Sequence, residues 1–407
     1  MASREVAEEF EIWGLRGEIS GHLGRVDWIT QAALGAALGE LMLGKRLGNW
    51  ALAWGALLGI SPDLEVVLRP LFDTARQIAF HRGPSHSLVG IAVGSYALAQ
   101  AFNRVQIKLR QKPTFSKLQV GSWIAAGWSA HVLVDCFTVE GAALLWPFAE
   151  KRVAFNLLDP LDVLFSAPLV ITVLCLPFLR DLKEKKLRGK KPVKTSKRRR
   201  MCYWGLGLSS GYALFSVGMK FIASAGFDAD LSRRGVKYQR RMESPTPFNV
   251  LLWRAVVDRG DELWVGYRTV FEWRQTPVRW TVYLKGKEAL TGAAERRETQ
   301  TLINFTDGWW IARPNAKGAW LGDLRFPESR VWGNKKGMVD SRLPVAWTLN
   351  FTATGDPLQP ILIEDDPHHD QWSRMAARLV GDRRAWEANP RLAGVSGSLP
   401  EFLPVEE

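Results

Sequence analysis

The sequence has few cysteines, and this scarcity excludes two common kinds of site. Only three occur in 407 residues, Cys136, Cys175 and Cys202, and no two have the CxxC spacing. All lie in or beside apolar segments, so we expect buried small side chains and neither a disulfide framework nor a zinc-binding knuckle. An apolar stretch is also missing from the first 27 residues, which mix acids and bases, so no cleavable signal peptide is predicted.

The basic residues are not spread evenly, which argues against nucleic-acid binding. The net charge is +13, but twelve basic residues lie between Arg180 and Arg200, with apolar segments on both sides. A basic loop between membrane spans is typical of cytoplasmic exposure. The sequence therefore predicts a bacterial plasma-membrane protein whose partner is the lipid bilayer, not a nucleic acid.

Apolar segments dominate the chain up to about residue 225. Small residues in the first of them allow helices to approach closely. The first two segments are short for a span, which needs roughly 20 apolar residues. We predict about six helices forming an all-α multi-pass membrane bundle. The predicted segments are Trp28 to Leu43, Trp50 to Ile60, Leu88 to Phe102, Leu118 to Val139, Leu161 to Leu179 and Cys202 to Ala225.

After residue 240 the pattern changes to polar and apolar alternation with aromatics, which is typical of strands. Strands are predicted at 262–273, 278–284, 300–305, 308–313, 319–326 and 345–353, and a short helix at 370–388. Eleven of the 19 tryptophans lie in this part. They are compatible with a carbohydrate or protein surface, but we favour a filled β core. The fold class is thus α+β overall, with a β-rich extramembrane C-terminal domain.

The charges also suggest domain boundaries and a topology. The basic loops at 45–46, 104–117 and 180–200 alternate correctly if all three are cytoplasmic. The C-terminal domain is then extracytoplasmic. The predicted parts are a polar lead-in (1–27), a helical membrane domain (28–179), a basic cytoplasmic loop (180–201), a last span (202–225), the β-rich domain (240–390) and a flexible tail (391–407).

Three of the six histidines lie in two short motifs. The first is the heptapeptide His81 to Ser87, and the second is the pair His131 and Asp135, which share a helix face at i, i+4. Ionisable groups inside membrane segments are costly and tend to mark functional sites. The predicted topology brings both motifs to the outer face, together with the acidic turn at Asp63 and Glu65.

Imidazole nitrogens and carboxylate oxygens suit Zn²⁺ or Mn²⁺, and the number of ligands is enough for one or two ions. The predicted metal ligands are Asp63, His81, His86, His131 and Asp135. Such an ion lowers the pKa of bound water from about 15.7 to about 7, which supplies hydroxide. Glu65 and Arg82 are the candidate catalytic residues, and Arg82 could bind a phosphate or steady a carboxylate. We expect Gln31, Thr138 and Glu140 to be solvated or capping residues.

The ordered motifs together resemble those of the YdjM-type family of membrane-bound, predicted metal-dependent hydrolases. The resemblance covers roughly residues 27–175. It implies an inner-membrane protein whose His and Asp residues bind a divalent metal. Many members carry His where this chain has Gln31, Asp in place of Glu65, and Thr in place of Ser85. The stretches that carry it are Asp27 to Glu40, Pro62 to Glu65, His81 to Ser87, His131 to Thr138, Gly141, Leu145 to Phe148, and Asp159-Pro160.

Two functional hypotheses follow from these patterns. The leading one is a metal-dependent hydrolase with its site at the outer membrane face, acting on a small or lipid-linked substrate such as a phosphoester or a lipid headgroup. The alternative is a non-catalytic membrane scaffold or envelope-stress protein whose β-rich domain binds a partner. A transporter is disfavoured because the polar residues gather at one face and not along a midplane path.

Overall fold

The computed structural model describes residues 23–110, 115–160, 162–179, 196–332, 338–353, 356–360, 369–386, 389–392 and 401–402. Most of the predicted lead-in and tail, and residues 180–195 of the predicted basic loop, lie outside these ranges. The described chain has a helical N-terminal region and a β-rich C-terminal region, so the α+β class is confirmed.

The helical region contains seven α-helices among its described residues, joined in places by short 3₁₀ helices. Polar caps fix several of the helix starts: Ser116 and Gln119 form a reciprocal capping box, and Asp162 accepts from two backbone N–H groups. The helices are α1 Leu23–Leu47, α2 Trp50–Ile60, α3 Thr74–Phe80, α4 Leu88–Arg110, α5 Lys117–Phe137, α6 Val163–Cys175 and α7 Lys197–Arg233; 3₁₀ helices occupy Pro62–Leu71, Pro84–His86 and Leu176–Phe178.

Helices α1 and α2 pack along a seam of glycines. A Cβ atom on Gly35 would overlap the carbonyl oxygen of Gly55, and one on Gly59 would overlap the carbonyl oxygen of Gln31. Only residues without a side chain allow the two backbones to approach this closely. The seam therefore fixes the position of the last turn of α2 against the first turns of α1.

The prediction of about six membrane spans is wrong. In the described part of the chain, only α7 is both long and apolar enough to cross a bilayer by length and composition. A second span results only if α2 and the 3₁₀ helix Pro62–Leu71, which are bent by 49° at their junction, count as one. The remaining segments fail because they are short, like α6 with its 13 residues, or because charged residues interrupt them, as Arg104 and Lys108 do in α4.

The described part of the β-rich region contains twelve strands in three sheets. The strands are β1 Arg240–Pro245, β2 Leu252–Asp258, β3 Glu262–Thr269, β4 Trp280–Leu284, β5 Trp310–Asn315, β6 Gly318–Asp323, β7 Ser329–Trp332, β8 Met338–Arg342, β9 Ala346–Asn350, β10 Leu358–Pro360, β11 Asn389–Leu392 and β12 Glu401–Phe402. Five strands lie in the order β1-β2-β3-β4-β12, four in the order β10-β9-β6-β5, and three in the order β11-β8-β7. The helices are α8 Arg297–Phe305, α9 His369–Leu379 and α10 Arg383–Trp386, with a 3₁₀ helix at Lys287–Ala293.

The strand predicted at 300–305 is wrong, because these residues lie in α8. The helix buries Thr299, Leu302 and Phe305. That spacing of three residues places them on one helical face, whereas a strand would need alternation.

Two apolar cores join the helical region to the sheets. One contains Ala75, Ile78 and Val139 together with residues of the second sheet and α8. The other contains Ala223 and Phe227 of α7 together with strands of the first sheet. Trp253, Trp280 and Trp347 are fully buried, as expected for a β core filled by tryptophan.

Candidate metal centre

Four buried side chains bring one donor atom each to a common point. They are Asp63, His86, His131 and Asp135, and these atoms all lie within 4.8 Å of one another. The two imidazole Nε2 atoms are 3.2 Å apart. Asp135 Oδ2 lies 3.0 Å from His86 Nε2 and 3.2 Å from His131 Nε2. Asp63 Oδ1 lies 3.3 Å and 3.5 Å from the same two nitrogens.

These separations match a tetrahedral metal site. Nitrogen and oxygen ligands of Zn²⁺ lie about 2.0–2.2 Å from the ion, so the edges of a regular tetrahedron are about 3.3 Å long. Five of the six edges are the distances above, and the sixth, between the oxygens of Asp63 and Asp135, is at most 4.8 Å. Neither Asp63 Oδ1 nor Asp135 Oδ2 accepts a hydrogen bond from any residue that the structure describes. The donor set therefore fits a divalent ion.

The partner of His131 fixes which of its nitrogens carries a proton. Nδ1 lies 2.6 Å from the carbonyl oxygen of Gly59, which can only accept. In the neutral imidazole the proton is thus on Nδ1, and Nε2 presents a lone pair to the four-atom group. This arrangement, with the second nitrogen bound to a carbonyl, is usual for metal-ligating histidines.

His86 is oriented by Ser85, which is in turn hydrogen-bonded to Glu65. Its Nδ1 lies 2.8 Å from the hydroxyl oxygen of Ser85, and that hydroxyl donates to Glu65 Oε2. Since the Ser85 proton goes to the carboxylate, the oxygen accepts from the imidazole N–H, and His86 Nε2 also presents a lone pair. Protonating both imidazoles instead would bring two cationic N–H groups to a separation of 3.2 Å. A cation between the four atoms removes this conflict.

The local backbone explains how these residues meet. Asp63 lies in the first turn of the 3₁₀ helix that begins at Pro62, and His86 ends the short 3₁₀ turn Pro84–His86. His131 and Asp135 lie one turn apart on α5. Gly59, which orients His131, belongs to the glycine seam between α1 and α2. The packing of α1 against α2 thus determines the orientation of His131 through the carbonyl group of Gly59.

The second carboxylate oxygen of Asp135, Oδ1, points away from the four-atom group and contacts Gln31 of α1 and Arg82. Gln31 Nε2 donates to Asp135 Oδ1 at 3.1 Å and to the His131 carbonyl at 3.3 Å. Arg82 lies 3.5 Å from the same carboxylate oxygen and 2.7 Å from Asp27 Oδ2. Arg82 is 6% exposed, so its position supports the carboxylate-steadying role and not an open phosphate site.

His81 and Glu65, both predicted to belong to the site, lie in an adjacent polar group. His81 Nδ1 is 3.0 Å from Glu65 Oε1, and His81 Nε2 is 3.3 Å from Glu140 Oε1. Glu65 also accepts from the backbone N–H of Arg82, a residue with a positive φ of 51°. That turn directs His81 and His86 to different neighbours. His81 is therefore outside the four-atom group.

Asp27 and Glu140 were not among the predicted site residues. Glu140 was expected to be a solvated or capping residue, but it is half-buried and paired with Arg82 and Arg152. Burial would raise the pKa of Glu140, but Arg82, His81 and Arg152 lower it to about 2. The signal for Asp27 was its place at the start of the first resembling stretch; Glu140 follows the His131 motif directly. Arg82 also lies 3.4 Å from the Thr138 hydroxyl, so Thr138 borders the site too.

The β-rich region lies beside this polar group. The guanidinium groups of Arg152 and Arg325 lie over the ring of Phe305, at 4.6 Å and 4.7 Å from its centroid. Arg297 pairs with Asp73 at 2.9 Å, next to the start of α3. Residues from the sheets and α8 thus cover the edge of the site where Glu140 lies.

The fold and the centre together define a class: a membrane-associated helical protein with a buried His/Asp group and an added β-rich region. Residues 26–223 match the model of a family described as YdjM inner membrane protein. The helical part of the chain is thus similar to this YdjM family, which supports a membrane location. No curated protein and no solved structure matches the chain.

Proposed function

We propose that the protein is a metal-dependent hydrolase of the plasma membrane that acts on a phosphoester or lipid-headgroup type of substrate. The observation that carries the proposal is the convergence of two lone-pair nitrogens and two carboxylate oxygens that receive no hydrogen bond within the described part of the chain. Asp63, His86, His131 and Asp135 would hold one Zn²⁺ or Mn²⁺ ion. Bound there, the ion would supply a nucleophile at neutral pH and polarise a carbonyl or phosphoryl oxygen.

The surrounding residues hold this arrangement in place. Gln31 and Arg82 contact Asp135 Oδ1, which leaves Oδ2 free to bind the ion. Glu65 acts through Ser85 on His86, so we assign it a positioning role. His81, whose side chain is 18% exposed, and Arg152, at 11%, lie at the edge of the site. They are the groups that an anionic substrate would meet first.

We further propose a topology in which the C-terminal region is extracytoplasmic. Helix α7 begins with Lys197, Arg198, Arg199 and Arg200, and such clusters favour the cytoplasmic side. The end of α7 and the sheets then lie on the other side. A multi-pass arrangement is supported by apolar side chains on other helices, such as Val93 and Tyr96 of α4, which are 63% and 69% exposed.

An apolar groove supports the choice of a lipid-linked substrate. It has a volume of about 710 Å³ and is lined by residues of α1, α2 and α6, from Ile29 to Phe178. No lining residue is titratable, which suits an acyl or isoprenoid chain. A substrate with its tail in this groove would keep its headgroup near the first turn of α1, where Asp27 lies.

Metal content is the direct test of the centre. Purified wild-type protein should contain a stoichiometric divalent ion, and the double variant His86→Ala plus His131→Ala should contain almost none. His81→Ala is the matched control, because it removes a neighbouring imidazole outside the four-atom group and should retain the metal. Equal metal in the wild type and the double variant would overturn the assignment.

Hydrolysis needs its own test. Phosphoester and carboxylic ester substrates should be cleaved in the presence of Zn²⁺ or Mn²⁺ and not after chelation. A protein that binds metal but cleaves none of them would favour the alternative, a non-catalytic membrane scaffold whose β-rich region binds a partner.

A further inference from the structure

Helix α7 carries a lipid-facing belt whose length matches a bilayer. It has 37 residues, and its exposed apolar side chains extend from Tyr203 and Trp204 to Phe221 and Ile222. The 20 residues from 203 to 222 span about 30 Å, the thickness of the hydrocarbon core. Aromatic residues at the start of this belt, next to Arg198–Arg200, are typical of a membrane interface.

Beyond Ile222 the same helix changes its surroundings. Its exposed positions become polar, beginning with Asp228, and Phe227 and Leu231 pack into the core of the first sheet. The buried carboxylate of Asp230 accepts from Trp280 Nε1 at 2.8 Å and from the Val278 N–H at 3.1 Å. The first sheet is thus attached to the helix immediately above the belt.

One loop of that sheet lies at the level of the upper end of the belt. Arg268 of β3 packs directly against Gly226, which is one turn above Ile222 on the same side of α7. Its guanidinium donates to the carbonyl oxygens of Glu272, Trp273 and Thr276, and so holds the β3–β4 loop at this height. One helical turn is about 5.4 Å, so the contact between Arg268 and Gly226 lies at the depth of the headgroup layer.

The loop presents the side chains that suit this layer. Phe271 is 65% exposed and Trp273 is 84% exposed, although both are large and apolar. Arg274 between the same strands is exposed as well. Aromatic rings with adjacent arginines bind the boundary between acyl chains and anionic headgroups.

We propose that the loop Phe271–Gln275 is a membrane anchor of the β-rich region: Phe271 and Trp273 insert into the headgroup layer of the bilayer that α7 crosses. The occupant of this surface is lipid because the patch continues the exposed belt of α7. The anchor holds the first sheet against the membrane, independently of any metal or catalysis at the His/Asp centre.

Depth-dependent quenching tests the anchor in the full-length protein. Cys136, Cys175 and Cys202 are replaced by alanine, and one cysteine is introduced by Trp273→Cys and labelled with a nitrobenzoxadiazole dye. Nanodiscs of phosphatidylcholine and phosphatidylglycerol carry doxyl-labelled lipid as quencher. The matched control is Lys317→Cys, at an exposed turn between β5 and β6 in another sheet.

We expect the dye at position 273 to be quenched several-fold more than the dye at 317, and Phe271→Cys to behave like 273. Both positions are exposed, so these substitutions leave the core intact. Equal quenching at 273, 271 and 317 would overturn the anchor. Protection of position 273 from an aqueous quencher without quenching by doxyl lipid would also overturn it, because the loop would then contact protein.

Discussion

The chain buries ionisable groups in two regions, and the two groups differ in how their charges are satisfied. In the β-rich region Glu328 is fully buried, with Arg254 at 3.0 Å and Arg330 at 2.8 Å, one on each carboxylate oxygen. In the helical region Asp63 and Asp135 direct an oxygen at two imidazole nitrogens that carry lone pairs. Burial alone therefore does not identify a site. A metal site is identified instead by the convergence of donor atoms that lack protons.

The largest expected effect comes from breaking the Glu328 group. Glu328→Gln leaves two buried guanidinium groups without a counter-charge, which should lower the free energy of unfolding by about 3–5 kcal/mol. Burial would raise the pKa of Glu328, but Arg254 and Arg330 lower it to about 2. Because the folded-state pKa is depressed, the stabilisation is complete above about pH 4.5 and is lost as the pH falls towards 2. Thermal unfolding in detergent measures both effects, and the wild type and the variant should converge at the acid end. A stable variant with unchanged acid sensitivity would contradict the pairing.

Asp63→Asn, unlike Glu328→Gln, should weaken metal binding without destabilising the metal-free protein. Metal affinity should fall about 100-fold or more, since the loss of a ligand exceeds the usual cost of losing a supporting group. The metal-free variant should unfold no more easily than the metal-free wild type, because in the absence of the ion the Asp63 oxygen faces two imidazole nitrogens that carry lone pairs. Competition titrations with a metal indicator, together with thermal unfolding after chelation, give the two quantities. A strongly destabilised metal-free variant would make Asp63 a structural residue like Glu328.

Ser85→Ala should weaken metal binding about 10-fold, because the hydroxyl that orients His86 is lost while the ligand remains. Ser85→Thr keeps the hydroxyl and is the matched control, so its affinity should stay near that of the wild type. The same indicator titration measures both variants. Equal affinities for the alanine and threonine variants would show that the Ser85–His86 contact does not position the ligand.

The smallest effect concerns the groove. Ala53 lines it and is exposed, so Ala53→Trp should fill part of the groove without disturbing the core. We expect a several-fold higher KM for a lipid-linked phosphoester and an unchanged kcat/KM for a short soluble one. Steady-state kinetics on the two substrates measure these constants. Parallel changes for both substrates would show that the groove does not bind the lipid tail.

The sequence predicted much of the centre but not its details. The i, i+4 spacing on α5 predicted that His131 and Asp135 share a helix face, because spacing acts locally. That His86 would lie on the same side was predicted from the topology set by the basic loops. The structure does not bring His81 into the four-atom group, because its direction depends on the positive φ of Arg82, which no spacing rule reveals. The contacts of Asp27 and Glu140 with Arg82 were not predicted because Arg82 is distant from both in sequence; only their places beside the motifs pointed to them.

The fold was predicted less completely where burial decides the structure. Apolar segments indicated spans, yet several are short helices that pack on one another, and their composition does not separate a bundle helix from a membrane helix. The strand predicted at 300–305 was wrong because β propensity was counted without the spacing of its buried residues. The domain boundaries stay predictions, although α7 begins at Lys197 and not at Cys202.

The glycine seam has a consequence for genetics. Gly59 supplies the carbonyl that orients His131, and its missing Cβ is what allows Gln31 to lie alongside. A selection for loss of metal binding should therefore recover Gly59→Ala, a single added methyl group on a residue that binds no metal. Metal binding in such isolates would be restored by second-site substitutions that move α1 away from α2, and not by substitutions of the ligands.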